Sequence, residues 1–165
     1  MHSEDVYKHL CQYMTYHEGC LVWCSDEPGY EGCNGWIAGT ITSSGYKRVK
    51  TNYNGRNIGV LAHRIIWYMH HGYLPRVLDH INRNKSDNRI ENLRAVTHAQ
   101  NSRNRQPKGD YMGISKTPYG WTAATSVNGK RITAGTHTDP AHAALAYDIM
   151  VTAHGLEEYA HINYP

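Results

Sequence analysis

The sequence predicts an α+β protein: small antiparallel sheets, each followed by a helix, in two successive parts. Three observations carry this reading. Two Asn-Gly pairs, Asn54–Gly55 and Asn128–Gly129, each join two short strand-like runs, and Asn-Gly in that setting marks a tight hairpin. After each hairpin comes a stretch with helical signals, 62–71 and 139–154, closed by Gly72 and Gly155. Between the two sets, Arg103–Asp110 is polar and basic, contains Pro107 and Gly109, and reads as a linker centred on 106–110.

Taken in order, residues 5–17 read as a short helix and Gly19–Cys33 as turn-rich. Trp36–Thr42 and Tyr46–Thr51 read as strands, and Asn57–Ala62 returns as the hairpin partner. The helix Ala62–His71 carries Ile65, Ile66, Tyr68 and Met69, with Pro75 just past its end. Val77–Ile81 is a short strand whose partner is Ala95–Val96, across a long Asn-rich loop. Thr97-His98-Ala99-Gln100 is a capping box, threonine at the N-cap and glutamine three residues on, so a helix starts there and presents Asn101 in its first turn. Beyond the linker, Tyr111–Ile114, Trp121–Val127 and Arg131–Thr136 read as three strands. Asp139–Pro140 then opens an Ala-rich helix, with aspartate as N-cap and proline in the first position.

At 165 residues the chain makes one ordinary domain or two small ones. Its 40% apolar content and lack of a long apolar run predict a soluble, cytoplasmic protein with no membrane partner. Met1–Leu10 is too polar for a signal peptide. There is no Phe but there are 13 Tyr, so tyrosine must fill much of the core. Cys11, Cys20, Cys24 and Cys33 do not form a paired C-x₂-C pattern. Structural zinc is therefore not expected, and they read as small buried or half-buried thiols.

The charge is distributed unevenly. Residues 1–40 hold one Lys against six acids, 41–78 six Lys/Arg and no acid, 79–110 seven against four, and 111–165 three against four. The middle of the chain is thus strongly basic although the net charge is only +3. Such a block seeks a polyanion, and double-stranded DNA is the expected one.

Inside the block stands Leu78–Asp79–His80–Ile81–Asn82–Arg83–Asn84, followed by Asn88, Glu91–Asn92–Leu93 and Gln100–Asn101. A carboxylate, an adjacent imidazole and spaced asparagines suit a metal on a phosphodiester, with the imidazole activating water. Asp79 and the amide oxygen of Asn101 are hard donors for a divalent cation. His80, with an ordinary pKa near 6.5, supplies a neutral base at cellular pH. Asn82, Asn84 and Asn88 read as turn formers. His98, three residues before Asn101, is the rival ligand if the metal were a softer one.

This arrangement resembles the His-Asn-His (HNH) nuclease motif over about Gly45–Arg105, in the variant common among phage homing endonucleases whose last histidine is asparagine. The resemblance implies a ββα-metal core at about 76–105 within a nuclease domain 1–105 that also has an N-terminal β-rich segment. It implies Asp79 and Asn101 as metal ligands, His80 as catalytic base, and Asn92 as the residue that ties the loop together and orients the base. One divalent cation is implied, Mg²⁺ first and Mn²⁺ as its substitute. The implied reaction is DNA hydrolysis to 5′-phosphate and 3′-hydroxyl ends, by nicking or by a homodimer cutting both strands. His63 and Arg64 at a helix start, with Arg83, Lys85, Arg103 and Arg105, are the cations placed to hold backbone phosphates.

Tyr111–Pro165 resembles the ethylene-response-factor (Apetala-type) DNA-binding domain. The carriers are Tyr111-Met112-Gly113-Ile114, Pro118-Tyr119-Gly120-Trp121, Ala134-Gly135-Thr136, Ala143-Ala144-Leu145-Ala146-Tyr147-Asp148 and Ile162-Asn163-Tyr164-Pro165. That resemblance implies a three-stranded antiparallel sheet plus one helix, with the sheet in the major groove. Its relatives are arginine-rich where this chain has Ser115, Thr117, Ala124 and Ser126, which leaves Tyr119, Arg131 and Thr133 as the base-reading candidates. The competing interpretation is a DNA-binding regulator that no longer cuts; the intact Asp79, His80, Asn92 and Asn101 set argues against it.

Overall fold

The computed structural model describes residues 4–24, 32, 34–105, 107 and 109–165. They divide into two compact units, Met1–Thr97 and His98–Pro165. Small antiparallel sheets and helices make up both.

The first unit opens with helix α1, Glu4–Cys11, which has acids in its first turn and Lys8 and His9 in its last, matching the helix dipole. Helix was expected to continue to 17. Instead Met14–His17 (β1) pairs antiparallel with Cys20–Trp23 (β2). Glu18 and Gly19 between them have φ of 45° and 82°, the left-handed pair whose twist suits a two-residue hairpin. Thr40–Ile41 (β3), Lys47–Tyr53 (β4) and Arg56–Leu61 (β5) form a sheet in that order. Of the expected strand 36–42, only β3 and a single bridge from Ile37 to Val22 are paired. Along β4, Val49 and Thr51 face inward while Arg48, Lys50 and Asn52 face solvent, so the sheet has an apolar side and a basic side.

Helix α2, Ala62–His71, follows β5 directly. It stops at Gly72, φ 71°, whose N–H donates to the Tyr68 carbonyl. Ile65 and Ile66 are fully buried and join Tyr7, Leu10, Leu21, Val49 and Val60 in one core. Val77–His80 (β6) and Leu93–Val96 (β7) then form a two-stranded antiparallel sheet, with a 3₁₀ turn at Ile90–Asn92 between them.

The second unit begins with the short helix α3, His98–Arg103. The division falls ahead of the segment read as a linker because Arg103 bonds to later residues. Its Nη2 donates to the Ser126 carbonyl at 2.6 Å, and its own carbonyl accepts from His161 N at 3.3 Å. Ile114–Thr117 (β8), Gly120–Val127 (β9) and Lys130–His137 (β10) form a sheet in the order β10-β9-β8. The first strand lies three residues later than expected. Gly113, φ 74°, passes so close to Tyr147 that a Cβ would sit inside its ring, and the chain enters the sheet only beyond that crossing. Helix α4, Pro140–Ala153, is capped by Asp139, whose carboxylate accepts from Ala141 N at 2.6 Å. Fully buried Ala143 and Ala144 lie on its inner side, and Ala123, Tyr147, Met150 and Val151 form the core.

Cys11, Cys20 and Cys24 are free thiols, and burial pushes Cys11 up to about 11. Cys33 lies outside the described residues. Among the described residues no helix is long and apolar enough to cross a membrane.

Buried Asp148 closes the second unit. It accepts from the backbone N–H and amide of Asn163 and from Tyr164 N, at 2.9–3.0 Å, while Asn163 Oδ1 accepts from Met112 N at 2.7 Å. Substituting Asp148→Ala should cost about 1–3 kcal/mol, because the part-buried donors of Asn163 and Tyr164 lose their shared acceptor. Denaturant titration reads the loss, and amide exchange should quicken at Asn163 and Tyr164. Unchanged exchange there would mean the carboxylate does not hold the terminal segment.

Candidate active site

Strand register brings the central pair together. In β6–β7, Asp79 stands opposite Arg94 and His80 opposite Leu93. Asp79 and His80 are both buried, at 8% and 5% exposure. Neighbours on a strand project to opposite sides, so the carboxylate and the imidazole are served by different partners.

Asp79 is met by Arg94, whose Nε and Nη2 both lie 3.0 Å from Oδ2. A buried carboxylate without a cation would cost about 3–5 kcal/mol; Arg94 supplies that cation across the sheet. By charge alone Arg94 reads as a phosphate contact, but its guanidinium is committed here.

His80 is met by Asn88. Its Nε2 lies 3.0 Å from Asn88 Oδ1, in a buried contact. An amide oxygen only accepts, so Nε2 carries the proton and Nδ1 keeps the lone pair. Asn88 is 1% exposed. It is therefore not a turn former but a buried partner of the His80 ring, a contact that sequence reasoning missed.

Asn92 has a different task. It closes the loop 81–92: its Oδ1 accepts from Asn82 N at 3.0 Å, and its Nδ2 donates to Asn82 Oδ1 at 3.0 Å and to Asp87 O at 2.7 Å. Asn82 and Asn84 cap turns as expected, accepting from Asn84 N and Ser86 N. Asp87 takes both Asn82 Nδ2 and a two-point grip from Arg89. From outside, the β1–β2 hairpin braces this loop. Tyr16 Oη accepts from Ile90 N at 3.2 Å, and a Cβ at Gly19 would come within 2.8 Å of Arg89 N.

His63 departs from its sequence reading. Expected as a cation at a solvated helix start, it is 4% exposed and lies edge-on to His80, ring centroids 5.0 Å apart at 77°. Burial first, then His80 and Arg64, push its pKa down to about 3. It stays neutral at cellular pH and cannot serve as a phosphate-binding cation. Arg64 is turned inward too, donating to Tyr7 Oη at 3.3 Å and Pro75 O at 3.2 Å. Lys85 is exposed, donating to Ser44 O at 3.2 Å with its ammonium 5.0 Å from the Tyr46 ring. Arg83 is half-buried with φ 65°.

Half-buried Asn101 and exposed His98 lie on α3, which ends at Arg103; exposed Arg105 follows it, and all four belong to the second unit. In that unit Arg131 and Thr133 are exposed while Ile132 and Ala134 pack on the core, so the first two lie on the sheet face away from α4. Tyr119, at the β8–β9 turn, is 89% exposed. Asp79 in the first unit and Asn101 in the second each carry an oxygen donor of the kind a hard divalent cation takes.

Neutral His63 makes the fold acid-sensitive. Its folded pKa lies below the unfolded value of 6.5, so between about 6.5 and 3 only the unfolded chain takes the proton. Stability from this group is therefore full above 6.5 and falls as pH drops. From pH 7 to pH 5 it should lose about 2 kcal/mol, and His63→Phe should remove that part of the dependence. Urea titrations of both proteins at the two pH values check this; parallel losses would mean His63 titrates normally.

Residues 60–103 match the family model described as HNH endonuclease. Among solved structures the chain is similar to the HNH homing endonuclease I-HmuI, in a structure describing its DNA binding and cleavage. Identity is 26% and the TM-score 0.40, over 52% of this chain and 46% of that one. The chain thus spans about half the length of that protein. No curated protein matches. The stretch that matches takes in His63, Asp79, His80, Asn88, Asn92, Arg94 and Asn101.

Proposed function

We propose that the chain is a metal-dependent, site-specific DNA endonuclease of the homing type, leaving 5′-phosphate and 3′-hydroxyl ends. The observation that carries this reading is His80: a buried imidazole beside a buried carboxylate, with Nε2 occupied by Asn88 Oδ1. His80 is the general base, and Nδ1 takes the proton from the attacking water. Asn88 holds the ring in the tautomer that exposes a lone pair at Nδ1. Asp79 would hold one Mg²⁺-like ion, with Asn101 as the second ligand that the sequence resemblance implies. When bound, such an ion neutralises charge developing on the scissile phosphate and the leaving oxygen. Arg94 fixes one oxygen of Asp79 and so limits the carboxylate's rotation.

Phosphate attraction comes from the basic side of the first unit's sheet, with Arg48 and Lys50 facing solvent, and from Lys85 and Arg83 on the loop. Arg103 and Arg105 add to it from the second unit. The outer face of β8–β10, with Arg131 and Thr133, and the exposed Tyr119 read bases in the manner of the ethylene-response-factor-type domain. One site per chain suits nicking, or double-strand cutting by two copies.

Purified protein incubated with genomic DNA and Mg²⁺, followed by end mapping, tests the activity. His80→Ala should slow cleavage by about 10²–10⁴-fold with DNA affinity nearly unchanged; wild-type speed would remove His80 from the chemistry. Deleting 111–165 should leave salt-dependent DNA binding and cleavage with much reduced site preference, since phosphate contacts position without specifying. An identical cleavage map for both proteins would place specificity in residues 1–110.

A further inference from the structure

One hydrogen bond does not fix an imidazole. The torsion that spins a histidine ring about its Cβ–Cγ bond is broad and roughly two-fold. Asn88 holds Nε2 of His80 at 3.0 Å, and aromatic neighbours wall the plane of the ring. Two aromatic rings form those walls. His63 stands nearly perpendicular, 5.0 Å away at 77°, and Tyr46 stands 6.0 Å away at 50°. His63 and Tyr46 also contact each other at 5.4 Å, and Lys85 lies over Tyr46 at 5.0 Å. The result is a continuous series, Lys85, Tyr46, His63, His80, within one unit.

His63 is costly where it is. Its Nδ1 is buried and has no hydrogen-bond partner among the described residues, and a buried polar atom left unpaired lowers stability. Its own helix does not need it as packing, since Ile65 and Ile66 beside it are fully buried apolar residues. What His63 provides is a flat ring standing nearly perpendicular to the base. Offset and perpendicular aromatic pairs are the favoured geometry, because a positive ring edge meets a negative ring face. A branched aliphatic side chain would fill the space without that directionality.

We infer that His63 is a positioning residue for His80: its perpendicular ring, backed by Tyr46, sets the plane of the base so that Nδ1 is presented in one orientation. The inference rests on the reading of His80 as general base. It assigns His63 no contact with DNA, metal or the reacting atoms.

The test uses the full chain with His63→Leu, which fills the site without a ring, and His63→Phe, which keeps the ring. Single-turnover cleavage, DNA Kd, Mg²⁺ Kd and thermal midpoint are measured for each, with His80→Ala as control. His63→Leu should cleave about 10–100-fold more slowly with DNA and Mg²⁺ affinity within about three-fold of the parent, the range expected when a catalytic group is misplaced. His63→Phe should return to within about three-fold of the parent rate, and it should melt no lower because it removes the unpaired nitrogen. In ¹⁵N spectra the His80 ring should show a single Nε2–H tautomer in the parent and His63→Phe, and averaged signals in His63→Leu. Cleavage by His63→Leu at the parental rate overturns the inference, as does His63→Phe being as slow as His63→Leu. If His63→Leu fails to fold, Tyr46→Leu, which removes the ring behind His63, takes its place: slowed cleavage with averaged His80 signals supports the inference, and the parental rate with a single tautomer overturns it. If His80→Ala itself cuts normally, the fault lies in the general-base reading rather than in His63.

Discussion

The pairing of Val77–His80 with Leu93–Val96 is the constraint on which the site depends, because side chains along a strand alternate and a slip of one residue would turn the whole set over. In the register observed, Asp79 meets Arg94 across the ladder and His80 is turned inward. The loop between the strands must then bring the chain back to a fixed place with little backbone pairing of its own. It does so with side-chain amides: Asn82 and Asn92 bond each other reciprocally, and Asn92 also grips the Asp87 carbonyl. A loop of such composition costs conformational entropy to order. The return is that Asn88 arrives at one position, under His80.

Electrostatics add a second condition. Two imidazolium rings 5.0 Å apart would repel by about 3 kcal/mol at an effective dielectric constant of 20. With His63 neutral, a proton gained by His80 meets an uncharged neighbour. Asp79 is similarly prepared, since Arg94 compensates its charge within the protein itself. Both devices let a polar site exist inside a small core.

Local signals were legible where local chemistry decides. Gly72 ends α2 where the sequence places it, and Asn54–Gly55 and Asn128–Gly129 turn their hairpins because those pairs tolerate left-handed backbone. Asp79 and His80 were legible as a pair because the motif is contiguous. What escaped depended on distant contacts. Val6, Leu10 and Met14 share a helical spacing, yet the Glu18–Gly19 turn gives Met14 to a strand. His63 beside Arg64 looks like a cation at a helix start; only the packing of α2 reveals it as buried. Asn88 sits among asparagines that cap turns, and nothing in composition separates the one that reaches the base.

The bracing of the loop by the β1–β2 hairpin bears on how portable this catalytic unit is. The recognisable family segment starts at residue 60, but Tyr16 and Gly19 press on Ile90 and Arg89, immediately after Asn88. The boundary of the family pattern is therefore not the boundary of the working machine. Grafting only the motif-bearing stretch onto another protein would transplant the Asp79–His80 pair and leave behind the hairpin that braces its loop. A transferable cassette has to begin upstream of Met14, so that the β1–β2 hairpin travels with the loop it braces.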